Sequence, residues 1–198
     1  MNKKTVTILI VVALLLVVVI SIVSAYNSLV AKDESATSSW AQVESAYQRR
    51  ADLIPNLVNT VKGAADFEKG TLEAVVQARS DASSVKLDSK NLTPENMAAF
   101  QKAQDQLSGS LSRLMVVVER YPELKANQNF RDLQAQLEGT ENRINVARQK
   151  FNDEVKEYNK ARRSFPKNII ASMFGFEEKS YFEAVEGAEV APTVEFNF

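Results

Sequence analysis

One stretch near the N-terminus constrains the fold more than any other. Residues 5–26, TVTILIVVALLLVVVISIVSAY, contain no charged residue, no Gly and no Pro. A helix needs about 20 apolar residues to cross the hydrocarbon core of a bilayer, which is roughly 30 Å thick. A stretch of this length is hard to bury in the single small core that the remaining chain can form. We therefore interpret residues 5–26 as a transmembrane helix, with the lipid bilayer as its partner.

Two other interpretations of this stretch remain open. Residues 1–4 and the small residues 23–25 resemble a secretory signal that is cleaved after Ala25. The stretch could also be an ordinary buried helix. Its apolar part is longer than the roughly 7 to 15 residues of a signal peptide, which favours an uncleaved anchor.

The flanking charges predict the orientation of this helix. Lys3 and Lys4 precede it, whereas the first charges after it are Lys32, Asp33 and Glu34. Positive residues are retained in the cytoplasm, so residues 1–4 are predicted to be cytoplasmic and the rest of the chain to face outward.

The composition removes most of the usual equipment for catalysis. The chain has no Cys and no His, which excludes thiol nucleophiles, disulfides, metal sites built from these residues and the commonest general base. It has no glycine-rich phosphate loop. The net charge of −1 does not suggest a nucleic-acid surface. We therefore predict no enzymatic activity, no cofactor, no small-molecule substrate and no nucleic-acid partner.

The remaining sequence predicts an all-α fold. Apolar residues recur at alternating steps of three and four after the span, as in helices that pack along their length. In the first helix this stripe comprises Ala36, Trp40, Val43, Tyr47, Arg50, Ile54, Leu57, Val61 and Ala64. Pro55 lies within it and predicts a kink, because it removes a backbone hydrogen bond and crowds the carbonyl of Ala51. Gly63 is the expected stop.

Three further helices follow. The second covers residues 67–82, with Phe67, Leu72, Val75 and Val76 towards the core, and is followed by a polar loop over 83–91. Thr93 is the expected N-cap of the third helix, which Pro122 ends. Its stripe comprises Met97, Phe100, Gln104, Leu107, Leu111, Leu114, Val118 and Tyr121.

Asn129 is expected to cap the fourth and longest helix, which Pro166 closes. Its stripe comprises Phe130, Leu133, Leu137, Thr140, Ile144, Ala147, Phe151, Glu154, Tyr158, Ala161 and Phe165. Short loops make successive helices antiparallel, so residues 27–165 are predicted to form an up-down bundle.

The C-terminal part differs from the bundle. Residues 166–182 are predicted to form a short helical segment at the membrane-proximal end, stopped by Gly175, with Phe174, Phe176 and Phe182 packed against the base of the bundle. Residues 183–198 form an acidic tail. Its aromatic residues Phe196 and Phe198 are candidates for binding a partner.

Arg50 is the one charged residue in its apolar stripe. A buried guanidinium without a partner is costly, so it needs an acid. Counting from the top of the bundle places Glu141 at a similar height, and we expect Arg50 to contact Glu138 or Glu141. The alternative is that Arg50 reaches solvent from the edge of the stripe.

Long sequence stretches resemble the bacterial LemA family over about residues 26–182. They are Tyr26-Asn27 with Leu29-Val30, RRADLIPNLVNTVKG (49–63), VVVERYPELKANQNFRDLQAQLEGTENRINVAR (116–148), Phe151-Asn152 with Tyr158-Asn159, and FPKNIIASMFGF (165–176). The resemblance implies a membrane helix followed by an antiparallel helical bundle, in a family without an established biochemical activity. Nothing transfers from it to residues 183–198.

These observations favour a non-enzymatic scaffold or partner-recruiting module. The apolar span and the resemblance together predict a single-pass protein of the bacterial inner (plasma) membrane, and the flanking charges predict that the bundle lies on the periplasmic or extracellular side. Its partner would be another protein or further copies of the chain. Two alternatives remain: an adaptor or sensor for an envelope enzyme of phosphatase-like or metalloprotease type, and an oligomeric membrane-remodelling protein.

Overall fold

The protein is predominantly helical in the part that the computed structural model describes, which comprises residues 2–63, 68–89 and 91–183. Within these ranges there is no strand, so the all-α prediction is confirmed. The helices are α1 (Lys3–Lys62), α2 (Lys69–Ser84), α3 (Pro94–Val118), α4 (Pro122–Ala126), α5 (Gln128–Arg163) and α6 (Lys167–Phe174).

The first helix joins the apolar stretch to the bundle without a break. α1 has 60 residues, which corresponds to a length of about 90 Å. Its apolar N-terminal part is long and apolar enough to cross a membrane, and it lies entirely outside the packed bundle. The interpretation of this part as a buried helix is therefore wrong. α1 runs through Pro55 and ends at Lys62, next to Gly63, as expected.

The helices pack as an antiparallel bundle. α1 lies along α5, and α2 lies along α3. The α2–α3 hairpin covers the part of α1 that is distant from the apolar segment, whereas α6 packs near that segment.

Three groups of buried side chains fill the interior. The distal cluster contains Ile54, Leu57, Val61, Leu72, Val75, Leu107, Leu114, Phe130 and Leu137. The aromatic cluster contains Trp40, Tyr47, Phe100, Phe151 and Phe182, together with Val43, Ile144 and Val155. The basal cluster contains Ala25, Leu29, Ala161, Ile170 and Ala171, with Phe176 against it.

The helix boundaries predicted at Pro122 and Asn129 are wrong. α3 ends at Val118, and Pro122 begins α4 instead of ending α3. Because Pro122 disfavours a helical conformation at Tyr121, the chain turns before the proline. The N-cap of α5 is Asn127 and not Asn129: its side chain accepts a hydrogen bond from the Phe130 N–H at 3.3 Å.

Some predicted core positions also differ. Val76 and Phe165 are exposed, and Val155 occupies the buried position expected for Glu154. After Phe151 the apolar stripe of α5 steps by four residues, and Phe165 lies beyond the end of α5. α2 continues to Ser84, so the first two residues of the predicted polar loop (83–91) are helical. Ala64 and Phe67 lie outside the described residues.

Candidate functional site

Arg50 lies in the interior of the bundle and binds two other helices. Its side chain is 2 % exposed. Nη1 donates to Ser108 Oγ at 2.8 Å and to Glu141 Oε2 at 3.0 Å, while Nη2 donates to Gln104 Oε1 at 2.7 Å and to the Gln104 carbonyl at 3.3 Å. One guanidinium on α1 therefore connects α3 with α5.

Arg50 also packs against the ring of Tyr47. Its guanidinium carbon lies 5.1 Å from the centre of the Tyr47 ring, at the distance of a cation–π contact. Its Nε is buried and has no hydrogen-bond partner. Burial raises the pKa of the Tyr47 hydroxyl, and the charges of Arg148 and Arg50 offset part of that rise.

Of the two acids expected near Arg50, the structure brings only Glu141 into contact. Glu138 accepts a hydrogen bond from Gln134 Nε2 at 3.0 Å instead. The alternative in which Arg50 reaches solvent is wrong, because the guanidinium is buried. The solvent contact belongs to its partner: the side chain of Glu141 is 47 % exposed. The pair thus joins a desolvated cation to a carboxylate at the surface.

Pro55 has a partner helix that the sequence did not reveal. Proline has no N–H, so it cannot donate to the carbonyl of Ala51, four residues earlier. Arg79 on α2 supplies the missing donor: its Nε lies 2.7 Å from the Ala51 oxygen. The proline and the arginine together attach α2 to α1.

The aromatic cluster surrounds the only Trp of the chain. The ring centre of Trp40 lies 5.4 Å from that of Phe100, 5.3 Å from that of Phe151 and 5.9 Å from that of Phe182. Such ring pairs contribute about 0.5–1.5 kcal/mol each beyond the area they bury. Phe182 was expected at the base of the bundle, but its ring packs against Trp40. Trp40 lies 14 residues beyond Tyr26 on α1, which corresponds to about 20 Å. The predicted position of Phe182 is therefore wrong.

Two asparagines of α5 hold the C-terminal segment (residues 176–183). Asn152 Nδ2 donates to the Phe182 carbonyl at 3.0 Å, and Asn152 Oδ1 accepts from the Phe182 N–H at 2.9 Å. Asn159 makes the same pair of bonds with Lys179, at 2.8 and 3.2 Å. The two asparagines are seven residues apart on α5, and their partners are three residues apart in the segment, in the reverse order. Seven helical residues and three extended residues both span about 10 Å. The segment therefore runs nearly extended and antiparallel to α5.

The sequence contained a signal for this contact. Phe151-Asn152 and Tyr158-Asn159 repeat at a spacing of seven residues, which places them on one face of α5. Tyr158 adds a hydrogen bond from its hydroxyl to the Glu177 carbonyl at 2.7 Å. The tail candidates Phe196 and Phe198 lie outside the described residues, and Phe174 and Phe176 remain near the base, against Tyr26.

A groove of about 720 Å³ runs along the outer side of the α1–α5 pair. Its lining includes the small or apolar residues Ala41, Ala46 and Val146. Its charged lining residues are Arg49, Arg143 and Lys150, and no described lining residue is acidic. The lining thus combines small and apolar residues with positive charge.

Among the described residues, no group of three or more acidic side chains lies close enough together to hold a metal ion. The polar groups around Arg50 are instead bound to one another.

The fold and these contacts define a class: antiparallel helical bundles whose first helix extends into an apolar, membrane-length segment. The chain belongs to the LemA family, whose sequence profile matches residues 39–196. The match continues well beyond residue 182, where the resemblance described above ended, and includes Phe196.

Curated relatives agree with this assignment. The magnetosome protein MamQ of Magnetospirillum gryphiswaldense is 26 % identical over 179 residues, which cover 82 % of this chain and 66 % of that protein. Magnetosome protein MamQ 2 of Paramagnetospirillum magneticum is 24 % identical over 184 residues, with the same coverage. Protein LemA of Metamycoplasma hominis is 23 % identical, over 81 % of this chain and 69 % of that protein. The chain spans just under two thirds of the length of the MamQ relatives.

Proposed function

We propose that this LemA-family protein is a non-enzymatic helical bundle that is anchored in the bacterial inner membrane and recruits or scaffolds protein partners at the cell envelope. The observation that carries the proposal is the continuity of α1. Its exposed apolar segment passes directly into the bundle, so the bundle stands on the bilayer. The interior of the described bundle is filled by side chains that bind one another, which favours a structural role.

The groove on the α1–α5 pair is the proposed docking surface. Its small residues allow a partner helix to approach closely, and Arg49, Arg143 and Lys150 give its lining a positive charge. Charge complementarity therefore favours an acidic helix of a protein partner. The tail residues Phe196 and Phe198 are proposed as a second contact with that partner.

The MamQ relatives are named as magnetosome proteins. A scaffold role for the present chain is compatible with such relatives.

Protease digestion of spheroplasts tests the anchoring and the orientation. With residues 1–4 in the cytoplasm and the bundle outside, protease added externally should remove the bundle and leave a short membrane-bound fragment. Protection of the bundle until the membrane is lysed would place it in the cytoplasm. A bundle released into the supernatant without protease would show cleavage after Ala25 instead.

Photo-crosslinking in cells tests the groove. A photoreactive amino acid replaces Val146 in the groove or, as a matched control, Val116 on α3; both valines are exposed, at 67 and 70 %. We expect a discrete adduct from position 146 alone, which the double charge reversal Arg49→Glu/Arg143→Glu abolishes. A foreign protein in this adduct supports recruitment, whereas a ladder of the chain itself supports a self-assembled scaffold. Equal adducts from both positions would contradict the groove as a docking site.

A further inference from the structure

A patch of exposed apolar side chains lies at the end of the bundle that carries the apolar segment of α1. Phe165, Ile169 and Met173 are 81, 50 and 72 % exposed. Ile169 and Met173 are four residues apart and share one flank of α6, whereas Asn168 and Ser172 form the opposite flank. Exposed apolar clusters of this kind mark interaction surfaces.

The patch is fixed at the point where the apolar segment ends. Ile170 and Ala171 of α6 are buried against Ala25 and Leu29 of α1. These α1 residues flank Tyr26, the last residue of the apolar segment. α6 therefore lies at the level where a helix that spans the bilayer through residues 5–26 leaves the hydrocarbon core.

The contacts of its two ends show how α6 is oriented. Lys167, at its start, donates from Nζ to Ser28 Oγ at 2.8 Å. The ring of Phe174, at its end, lies 4.9 Å from that of Tyr26. α6 is about 12 Å long, whereas Ser28 and Tyr26 differ in height by only about 3 Å along α1. α6 thus crosses α1, and it lies roughly parallel to a membrane that α1 spans.

We propose that α6 is an interfacial helix that lies in the bilayer surface beside the α1 span. Phe165, Ile169 and Met173 then contact the acyl chains just below the lipid headgroups, at the depth of about 5–10 Å that amphipathic helices reach. Tyr26 and Phe174 form an aromatic pair at the same level, where aromatic residues are enriched in membrane proteins.

Charge and continuity support lipid as the occupant of this surface. Lys160 and Arg163 are exposed in the last turn of α5, directly before α6, and can bind lipid phosphates. The patch also adjoins the exposed apolar surface of α1, so one bilayer covers both. This inference rests on the proposed anchoring by α1, and the experiment below separates the two.

Site-specific fluorescence of the full-length protein in lipid vesicles tests the inference. Because the chain has no cysteine, the variants Leu14→Cys, Met173→Cys and Val146→Cys each carry one environment-sensitive dye. Leu14 reports on the span, Met173 on α6 and Val146 on the distant part of the bundle. All three side chains are exposed. Vesicles contain lipids with a nitroxide quencher either near the headgroup or near the chain end.

The three labels should give different results. We expect a blue-shifted emission at position 173 that is quenched mainly by the shallow nitroxide, quenching at position 14 by the deep nitroxide, and no quenching at position 146. Quenching at 14 without quenching at 173 would overturn the interfacial helix and leave the anchor intact. No quenching at 14 would overturn the anchor itself.

Self-association through the patch would give another distinct result. The dye at position 173 would then be blue-shifted without lipid quenching, and an excess of unlabelled protein would dilute the effect. In that case a second copy of the chain, and not the bilayer, covers the patch, and the inference is overturned.

Discussion

The carbonyl oxygen of Ala51 accepts a hydrogen bond from Arg79 Nε at 2.7 Å, at the position where Pro55 has removed the donor of the helix. A defect in α1 thereby becomes an attachment point for α2. The two residues are 28 apart in the chain, and the contact depends on both the proline and the arginine.

Substitutions of Pro55 and of Arg79 should therefore have coupled effects on stability. Pro55→Ala restores the backbone donor and should raise the free energy of unfolding by about 1–3 kcal/mol. Arg79→Met should cost about 1–3 kcal/mol in the natural chain and less in the Pro55→Ala background. Urea unfolding in detergent micelles, followed by the fluorescence of Trp40, measures both. Arg113→Met, at an exposed arginine, is the control, and equal costs of Arg79→Met in the two backgrounds would refute the coupling.

The Arg50–Glu141 pair should be sensitive to the loss of its carboxylate. Glu141→Gln leaves the buried guanidinium without a counter-charge and should lower the free energy of unfolding by about 1–3 kcal/mol. This loss is smaller than for a fully buried pair, because the Glu141 side chain is half exposed. The double variant Arg50→Met/Glu141→Gln removes the stranded cation and should be more stable than Glu141→Gln alone. Glu138→Gln serves as the matched control and should have little effect. Additive losses in the double variant would count against the pair.

The asparagines of α5 should hold the C-terminal segment against protease. Asn152→Ala removes two hydrogen bonds to this segment, and Asn159→Ala removes three, because Asn159 Nδ2 also donates to the Tyr181 hydroxyl at 3.4 Å. Each variant should lower the free energy of unfolding by about 1–3 kcal/mol. Limited proteolysis should then cut faster within residues 176–183. Asn145→Ala, at an exposed asparagine of the same helix, should leave the cleavage rate unchanged. Unaltered cleavage in the first two variants would show that the aromatic cluster alone retains the segment.

Stability should fall at alkaline pH through Tyr158. Its burial, and secondarily the charge of Asp33, raises its pKa from 10.0 to about 12. The folded protein thus retains the phenol proton where the unfolded chain has released it, so this contribution is present below pH 10 and is lost as the pH rises towards about 12. Urea midpoints of the natural chain should fall more steeply over this interval than those of Tyr158→Phe. Parallel curves would contradict the prediction.

The sequence predicted the parts of this fold that depend on local periodicity. The stripe of α1 is buried from Ala36 to Val61, and Thr93 caps α3 as expected. The height count that placed Glu141 beside Arg50 succeeded because an α-helix rises by a fixed amount per residue. The boundary at Asn127 was missed because Asn127 and Asn129 offer the same capping chemistry.

The remaining contacts depend on tertiary structure. Nothing local indicates that Arg79 would face the carbonyl of Ala51, since that requires the relative position of two helices. Phe182 was placed at the base because the sequence shows no turn that would direct residues 176–183 back along α5. The seven-residue repeat of Asn152 and Asn159 was visible, but its meaning depended on where the chain went after Gly175.

The unbroken course of α1 has a mechanical consequence. In the proposed membrane-anchored state, an unbroken helix fixes the rotational orientation of the bundle relative to the apolar segment, because each added helical residue turns whatever follows by about 100°. Neighbouring proteins in the same membrane would therefore meet the α1–α5 groove at a defined bearing, and a tilt imposed on this helix by lipid thickness would swing the far end of the bundle sideways.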